Sequence, residues 1–486
     1  MKLSHVSAFF LLLISHNLLA TTWPVGPGKP HTLPSQVATL VADGDTVAID
    51  PGIYPGDVCT WTANHLVLRG TGTPGQYSHL RADGQNAGGK AIWVIKGDFI
   101  RVENIEFSLC QVPDQNGAGI RAEGLHLTVS HCSFHHNEMG ILTTNDDNAE
   151  FIFEYSEFAW NGYGDGYSHN VYVGSVKSLL FQYNYSHHGK VGHLLKSRAQ
   201  SNFILYNRLT DEPGADASRE IDLPNGGFAI IQGNIIQQSE ESQNGNIIGY
   251  GMEGLANNPP HALYIVHNTI VNERFAGRFV QFPAGLYTFL FKNNIIAGPG
   301  MLVDTPAFPP DLDTTNNVTI AEVAMASFVD YPNFDYHLTA TSPGINAAVP
   351  AFFNVIYALT PVAEYLHPQS WIPRTAINTM DIGAYEFPEP VSNNGIQPSE
   401  TGFRAFPNPT TGNLHLKFCF PGDQIPVRIE FFDINGKNIT SAIQQLGTSP
   451  GGSTFSLENV ADGLIVVHTT LADGHCCATL VQKISY

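Results

Sequence analysis

A long parallel β-solenoid, coiled as a right-handed parallel β-helix and followed by a small antiparallel β-sandwich, is the all-β architecture that this sequence predicts. Three observations lead there. Short apolar segments recur behind a polar or aromatic residue, beginning at Asn104, His131, Tyr155, Asn184, Asn207, Asn234, Asn268 and Asn294, with spacings of 23 to 34 residues. A period in that range means stacked supersecondary units, each burying its apolar face on the next. The runs are strand-sized, are broken by Gly, Asn and Asp, and carry no long helical periodicity, so each repeat reads as one coil of parallel strands. From Phe403 onward the repeat gives way to alternating strands with Asn435-Gly436 and Asp462-Gly463 turns, the signature of hairpins. An antiparallel sandwich throughout would instead show turn signals every ~8–12 residues.

Taken in order, residues 1–20 read as a signal peptide, with Lys2 as the charged end, an apolar run from Val6 to Ile14, and Leu18-Leu19-Ala20 as the cleavage site. The run is too short to cross a bilayer, and no later segment reaches that length, so no membrane span is expected. Residues 21–300 are assigned to the β-helix, entered through Asp43-Gly44-Asp45-Thr46-Val47 and the Gly52-Ile53-Tyr54 turn. The recurring asparagines suit bends, where their side chains bond to backbone. Residues 301–390, with Phe334 to Leu338 and Asp381 to Glu386, read as an end region that shields the open coil. Residues 391–402, rich in Pro, Ser, Asn and Gly, read as a linker, and residues 403–486 as a separate C-terminal domain.

The formal net charge of -20 and a pI near 5.3 exclude nucleic acid and anionic membrane as partners. An acidic polymer is admitted only at a local basic site. The six cysteines, Cys59, Cys110, Cys132, Cys419, Cys476 and Cys477, lack metal-ligand spacing. Cys110 and Cys132 lie on neighbouring repeats, where a disulfide and two buried thiols are both open readings.

The local basic site is Gly192-His193-Leu194-Leu195-Lys196-Ser197-Arg198, in which strand alternation puts Leu194, Lys196 and Arg198 on one face and His193, Leu195 and Ser197 on the other. Stacking this stretch on Ser168 to Gly174 sets His169 over His193 and Tyr172 over Lys196, and Arg219 to Leu223 supplies a third rung. Tyr172, Lys196 and Asp222 then form a ladder about 10 Å long, the span of one or two sugars. The expected face holds Asn170, Tyr172, Lys196, Arg198, Glu220 and Asp222, flanked by His169, His193 and Arg219. β-Elimination from a uronate needs a cation to neutralise the carboxylate and a base to take the proton beside it. Arg198 fits the first role and Lys196 the second, with His193 or Tyr172 as replacements; Asn170, His169, Arg219, Glu220 and Asp222 are substrate-binding candidates. Hydrolysis would need two flanking carboxylates, for which Glu220 and Asp222 are the candidates. A non-catalytic, adhesive glycan-binding solenoid is the remaining alternative. No metal is assigned. Calcium is left open at Asn145 to Asn148 and at Asp211-Glu212, where oxygen ligands cluster although both read as turns. Zinc at the His135-His136 or His187-His188 pairs would need further ligands.

Three resemblances extend this reading. The Gly-Asp-Thr-Val entry with its Gly-x-Tyr turn resembles the right-handed β-helix family of secreted carbohydrate-active proteins. Lys196-Ser197, Asn202, Tyr206-Asn207 and Gly233-Asn234 resemble the alginate lyase and chondroitinase B family of polysaccharide lyases, which implies a lysine base and an arginine acid on the next coil. Here that next-coil position falls at Asp222 or Pro224, and the arginines at hand are Arg198 and Arg219. The set Phe406 to Leu414, Val427 to Lys437 and Asp462 to Val467 resembles the C-terminal sorting domain of the type IX secretion system, with Gly463-Leu464-Ile465 in place of the usual Gly-x-Tyr. That resemblance implies passage through the type IX machinery to the outside or cell surface of a Gram-negative bacterium. The expectation is therefore a secreted enzyme acting on an acidic polysaccharide, most simply a lyase.

Overall fold

The computed structural model describes residues 20–73, 75–351, 359–376, 378–388, 402–406, 410, 412–419, 425–433, 437–449, 451–472 and 476–483. Residues 1–19 and 389–401, on which the expected signal peptide and linker almost wholly fall, lie outside the described residues. Three parallel sheets of 12, 11 and 10 strands run the length of a β-helix. Each coil contributes one strand to each sheet in turn, for example Val176–Gln182 to the first, Tyr185–His187 to the second and Leu195–Ser197 to the third. The last strands paired to the coil are Met301–Asp304, Asp311–Asp313 and Val318–Ile320. The strands are short because the chain turns a corner every few residues; inward positions fill with Val, Ile, Leu and Phe, while outward ones are free to vary.

The interior is layered coil on coil. Phe107, Phe134 and Phe158 stack with ring centroids 5.0 and 5.1 Å apart and planes within 9°, close to the strand spacing itself. At the corner between first and second sheets, Asn184, Asn207, Asn234, Asn268, Asn294 and Asn317 form a ladder, buried as far as Asn294. From Asn207 onward each side-chain oxygen accepts the backbone N–H of the asparagine one coil before it, as from Asn207 to Asn234 at 2.8 Å and from Asn234 to Asn268 at 2.9 Å. The bend residues just ahead of the ladder adopt a left-handed conformation, including Asn104, His131 and Tyr155. Those three therefore occupy the bend, and the rungs aligned with Asn184 are Ser156 and Cys132. Side-chain type alone misaligned them by one residue, since polar residues suit both positions.

Cys59, Cys110 and Cys132 are free buried thiols. The region after the coil packs along the outside of the second sheet: Phe328, Tyr336, Leu338 and Tyr385 lie against Ile235, Val271 and Ile295. In the C-terminal domain a four-stranded and a three-stranded antiparallel sheet face each other over Leu414, Leu416, Phe431, Phe455, Ile465 and Val467. This sandwich touches the coil. Leu464 and Val466 join Ile152, Leu180 and Phe203 in one apolar cluster, and the Leu464 N–H donates to Glu150 Oε2 at 3.0 Å.

Candidate active site

Three successive strands of the third sheet, Val171–Val173, Leu195–Ser197 and Ile221–Leu223, carry the site. Their register pairs Tyr172 with Lys196 and Lys196 with Asp222, so the expected ladder exists on the outward face. The next position in the column is Gly249. A Cβ there would lie 3.0 Å from both Arg219 Nε and Asp222 Oδ1, so glycine leaves room for that ion pair.

Alternation fails just before each strand begins. Asn170, Leu194 and Glu220 occupy the bend leading into the sheet and turn inward, although Val171, Leu195 and Ile221 after them also face the core. Two consecutive inward residues are what a corner produces, since the chain rotates there instead of pleating. Three expectations are corrected by this. Asn170 is not on the outer face: fully buried, it donates to the carbonyls of Phe158 and His187 and accepts from Asn161. Glu220 is likewise enclosed and accepts from Gln238 Nε2 at 3.3 Å, and burial pushes its carboxyl well above the ordinary value. The pairing of Glu220 with Asp222 as two carboxylates on one face therefore does not occur. Leu194 does not share a face with Lys196, and His193 comes round to Asp222, with Nε2 3.4 Å from Oδ2.

On the outer face the charges interlock. Asp222, buried, accepts from Arg219 Nη1 at 2.8 Å, while its other oxygen lies 3.5 Å from Lys196 Nζ, an electrostatic contact longer than a good hydrogen bond. Burial raises the Asp222 carboxyl above its usual range, against the pull of Arg219 and Lys196. Arg198 donates from Nε to the Tyr172 hydroxyl at 2.8 Å and from Nη1 to Asn225 Oδ1 at 2.7 Å. Both cations stand near the Tyr172 ring, at 5.7 and 5.8 Å from its centroid. His169 and His193 stack with planes 12° apart, and each Nδ1 accepts a backbone N–H, from His193 and Arg219 respectively. Burial first, then neighbouring cations, pushes both imidazoles well below their ordinary range, so both are neutral and clamped.

One residue that the sequence did not flag completes the network. Glu253, in the loop after Asn246–Tyr250, bridges the cations: Oε1 accepts from Lys196 Nζ at 2.7 Å and Oε2 from Arg198 Nη2 at 2.5 Å. Burial works against its charge, but these two hydrogen bonds prevail and hold the carboxyl at about 2. Asn257 fixes the same loop by donating to the carbonyls of Ala199 and Gly226 at 2.9 and 2.8 Å. The loop lies 57 residues from Lys196 in sequence, two coils on; the only local trace of it is the Gly251-Met252-Glu253-Gly254 turn.

The carboxylates of both calcium candidates are taken up by partners within the chain, and Asp146 to Asn148 open the strand Asp146–Glu154 instead of forming the expected turn. Asp146 accepts from the N–H and side chain of Asn148, and Glu212 accepts from Tyr185, Arg208 and Thr210.

Residues 404–481 match the secretion system C-terminal sorting domain. That domain marks proteins exported by type IX secretion to the cell surface or extracellular space of Gram-negative bacteria, and this chain carries it. Among solved structures, one described as the crystal structure of pectate lyase Pel9A matches at 13% identity with a TM-score of 0.49, covering 76% of this chain and 96% of that one. No curated protein matches the chain.

Proposed function

We propose that the solenoid cleaves a uronate-containing polysaccharide by β-elimination on the Lys196 face. The observation that carries this reading is the single carboxylate, Glu253, gripped by Lys196 and Arg198 together. Two cations arranged to share one carboxylate are a recognition site for that group, and the bidentate reach of Arg198 suits a uronate better than a point charge would. Glu253 sits on a loop with its side chain 46% exposed, whereas Asp222 and Arg219 are fixed beneath. A uronate carboxylate takes the place of Glu253 on Arg198, and Lys196, released from Glu253 and in its free-amine form, is the base. Lys196 Nζ then takes the proton beside the carboxylate, its electron pair forms the carbon–carbon double bond, and the carbon–oxygen bond to the leaving sugar breaks. The Tyr172 hydroxyl, already accepting from Arg198, supplies the proton to the leaving oxygen. His193 and His169, clamped by backbone, hold the floor rigid.

A non-catalytic glycan-binding solenoid is the second reading, favoured by the full pairing of these cations within the chain. The test is incubation with alginate, pectate, glucuronan and glycosaminoglycans while following the ultraviolet absorbance of the new double bond. Lyase action gives that signal, and Lys196→Ala or Arg198→Ala should lower its rate by about 10²–10³-fold. New reducing ends without absorbance would mean hydrolysis, and binding with neither would leave the adhesin.

A further inference from the structure

The second sheet carries a group of ligand-type side chains that takes no part in the Lys196 face. His79, Glu106 and His135 stand on three successive strands, Ser78–Arg81, Ile105–Ser108 and Ser133–His135. His79 is directly opposite Glu106, and His135 is opposite Ser108, two positions along the same outward face. Their ligand atoms all lie within 4.8 Å of one another, with Glu106 Oε1 2.7 Å from His135 Nε2 and 3.4 Å from His79 Nδ1. We propose that His79, Glu106 and His135 bind a divalent transition metal of the zinc class, through two imidazole nitrogens and one carboxylate oxygen, with the remaining position open to water.

The orientation of the rings argues for this more than their closeness does. A metal-binding histidine offers one nitrogen to the ion, and its other nitrogen is fixed by an outer partner. His79 turns Nδ1 toward Glu106 while Nε2 is held by Ser108 Oγ at 2.7 Å. His135 turns Nε2 toward Glu106 while Nδ1 is held by His136 Nδ1 at 3.0 Å. Opposite nitrogens of the two rings thus converge on one carboxylate oxygen, and each ring has its outer partner in place. Tetrahedral zinc with ligands at about 2.0–2.1 Å needs them roughly 3.3 Å apart. The Glu106 to His79 separation already fits, and the shorter Glu106 to His135 contact has to open by about half an ångström. The side chains are 17–28% exposed, so an ion can reach them without unfolding the coil. A two-residue version lies further along the same sheet, where His187 Nε2 meets Glu157 Oε1 at 3.1 Å. With a single imidazole and a single carboxylate, it serves as the internal control.

The test uses the untagged full-length protein, stripped with chelator, titrated with zinc against a chromophoric chelator, and separately loaded with cobalt(II) to read its visible ligand-field bands. The expected result is one zinc per chain at submicromolar affinity and an intense cobalt spectrum of tetrahedral type. His79→Ala and His135→Gln should each weaken zinc binding at least 100-fold and abolish the cobalt bands, while His187→Gln leaves both unchanged. Circular dichroism of each metal-free variant checks that the coil is intact. Absence of stoichiometric zinc binding in the unmodified protein, or binding that survives Glu106→Gln and His135→Gln at full strength, would overturn the assignment and leave a carboxylate-bridged histidine ladder.

Discussion

If Glu253 stands where a substrate carboxylate belongs, removing it should tighten ligand binding instead of weakening it. Its carboxyl sits at about 2 against an ordinary 4.5, a gap equivalent to roughly 3 kcal/mol if fully realised. With the side chain 46% exposed, solvent and counter-ions leave about 1–2 kcal/mol of that. A uronate entering the unmodified site has to displace this interaction, so Glu253→Ala should bind short oligouronates ~5–30-fold more tightly. Isothermal titration at physiological salt, using oligomers from whichever polymer is degraded or bound, reads this directly. The sign on stability is opposite. A carboxyl whose value is depressed on folding contributes stability above its unfolded value, and that stability is lost as pH falls from about 4.5 toward 2. Glu253→Ala should therefore melt slightly below the unmodified protein at pH 7, and the difference should shrink in acid. Equal or weaker ligand binding by a variant that is still folded would refute the reasoning, and Glu253 would then be a residue that positions Lys196 and Arg198.

Three further outcomes follow from the architecture. Asn234 accepts from the Asn207 backbone and side chain and donates to Ile204, Gln232 and Asn268, so Asn234→Ala strands several buried groups and should cost about 3–5 kcal/mol, read as a lowered thermal midpoint. Asp211 is raised to about 7 by burial; because the folded state holds its proton more tightly than the unfolded chain, stability should fall as pH rises from about 4 through 7, and Asp211→Asn should flatten that dependence in melts across pH. Limited proteolysis within residues 389–401 should release a folded sandwich and a solenoid that keeps its activity, while exposing Ile152, Leu180 and Phe203 to an apolar dye; loss of activity with the coil still folded would tie the C-terminal domain to the site.

The fold was legible because its signals are local and repeated. One coil of apolar runs with a bend residue says little, but eight in register leave few architectures, and the loss of that period after Phe403 marks the sandwich on equally local grounds, although Asp462-Gly463 leads from one sheet of the sandwich to the other instead of closing a hairpin and Asn435-Gly436 lies outside the described residues. Depth within a coil was less legible. Asn170 and Glu220 look outward by alternation, yet the corner before each third-sheet strand turns them into the core, where Asn170 receives the Asn161 backbone N–H. The cue that was available is Leu194, the apolar and fully buried residue at the equivalent bend of the middle coil, since parallel stacking gives Asn170 and Glu220 the same depth.

The ladder of Tyr172, Lys196 and Asp222 was legible because parallel stacking turns sequence period directly into space. Glu253 was not, because it reaches the ladder from a loop two coils on, and loops are where the period is broken. The same division shapes the proposed chemistry. Rung residues such as Asp222 and Lys196 are locked by register and burial, so they can preorganise charge but cannot yield to a ligand. A group that must give way to substrate has to come from outside the ladder, on a segment whose backbone is not committed to the sheet. Glu253 meets that requirement: its carboxylate bridges two cations of the face, while the chain carrying it leaves the coil at Gly251 and is tied back by Asn257. Loosening that tie with Asn257→Ala should raise oligouronate affinity in the same direction as Glu253→Ala but by less, since the carboxylate remains as a weakened competitor; an unchanged affinity, measured by the same titration, would mean that the loop does not govern access.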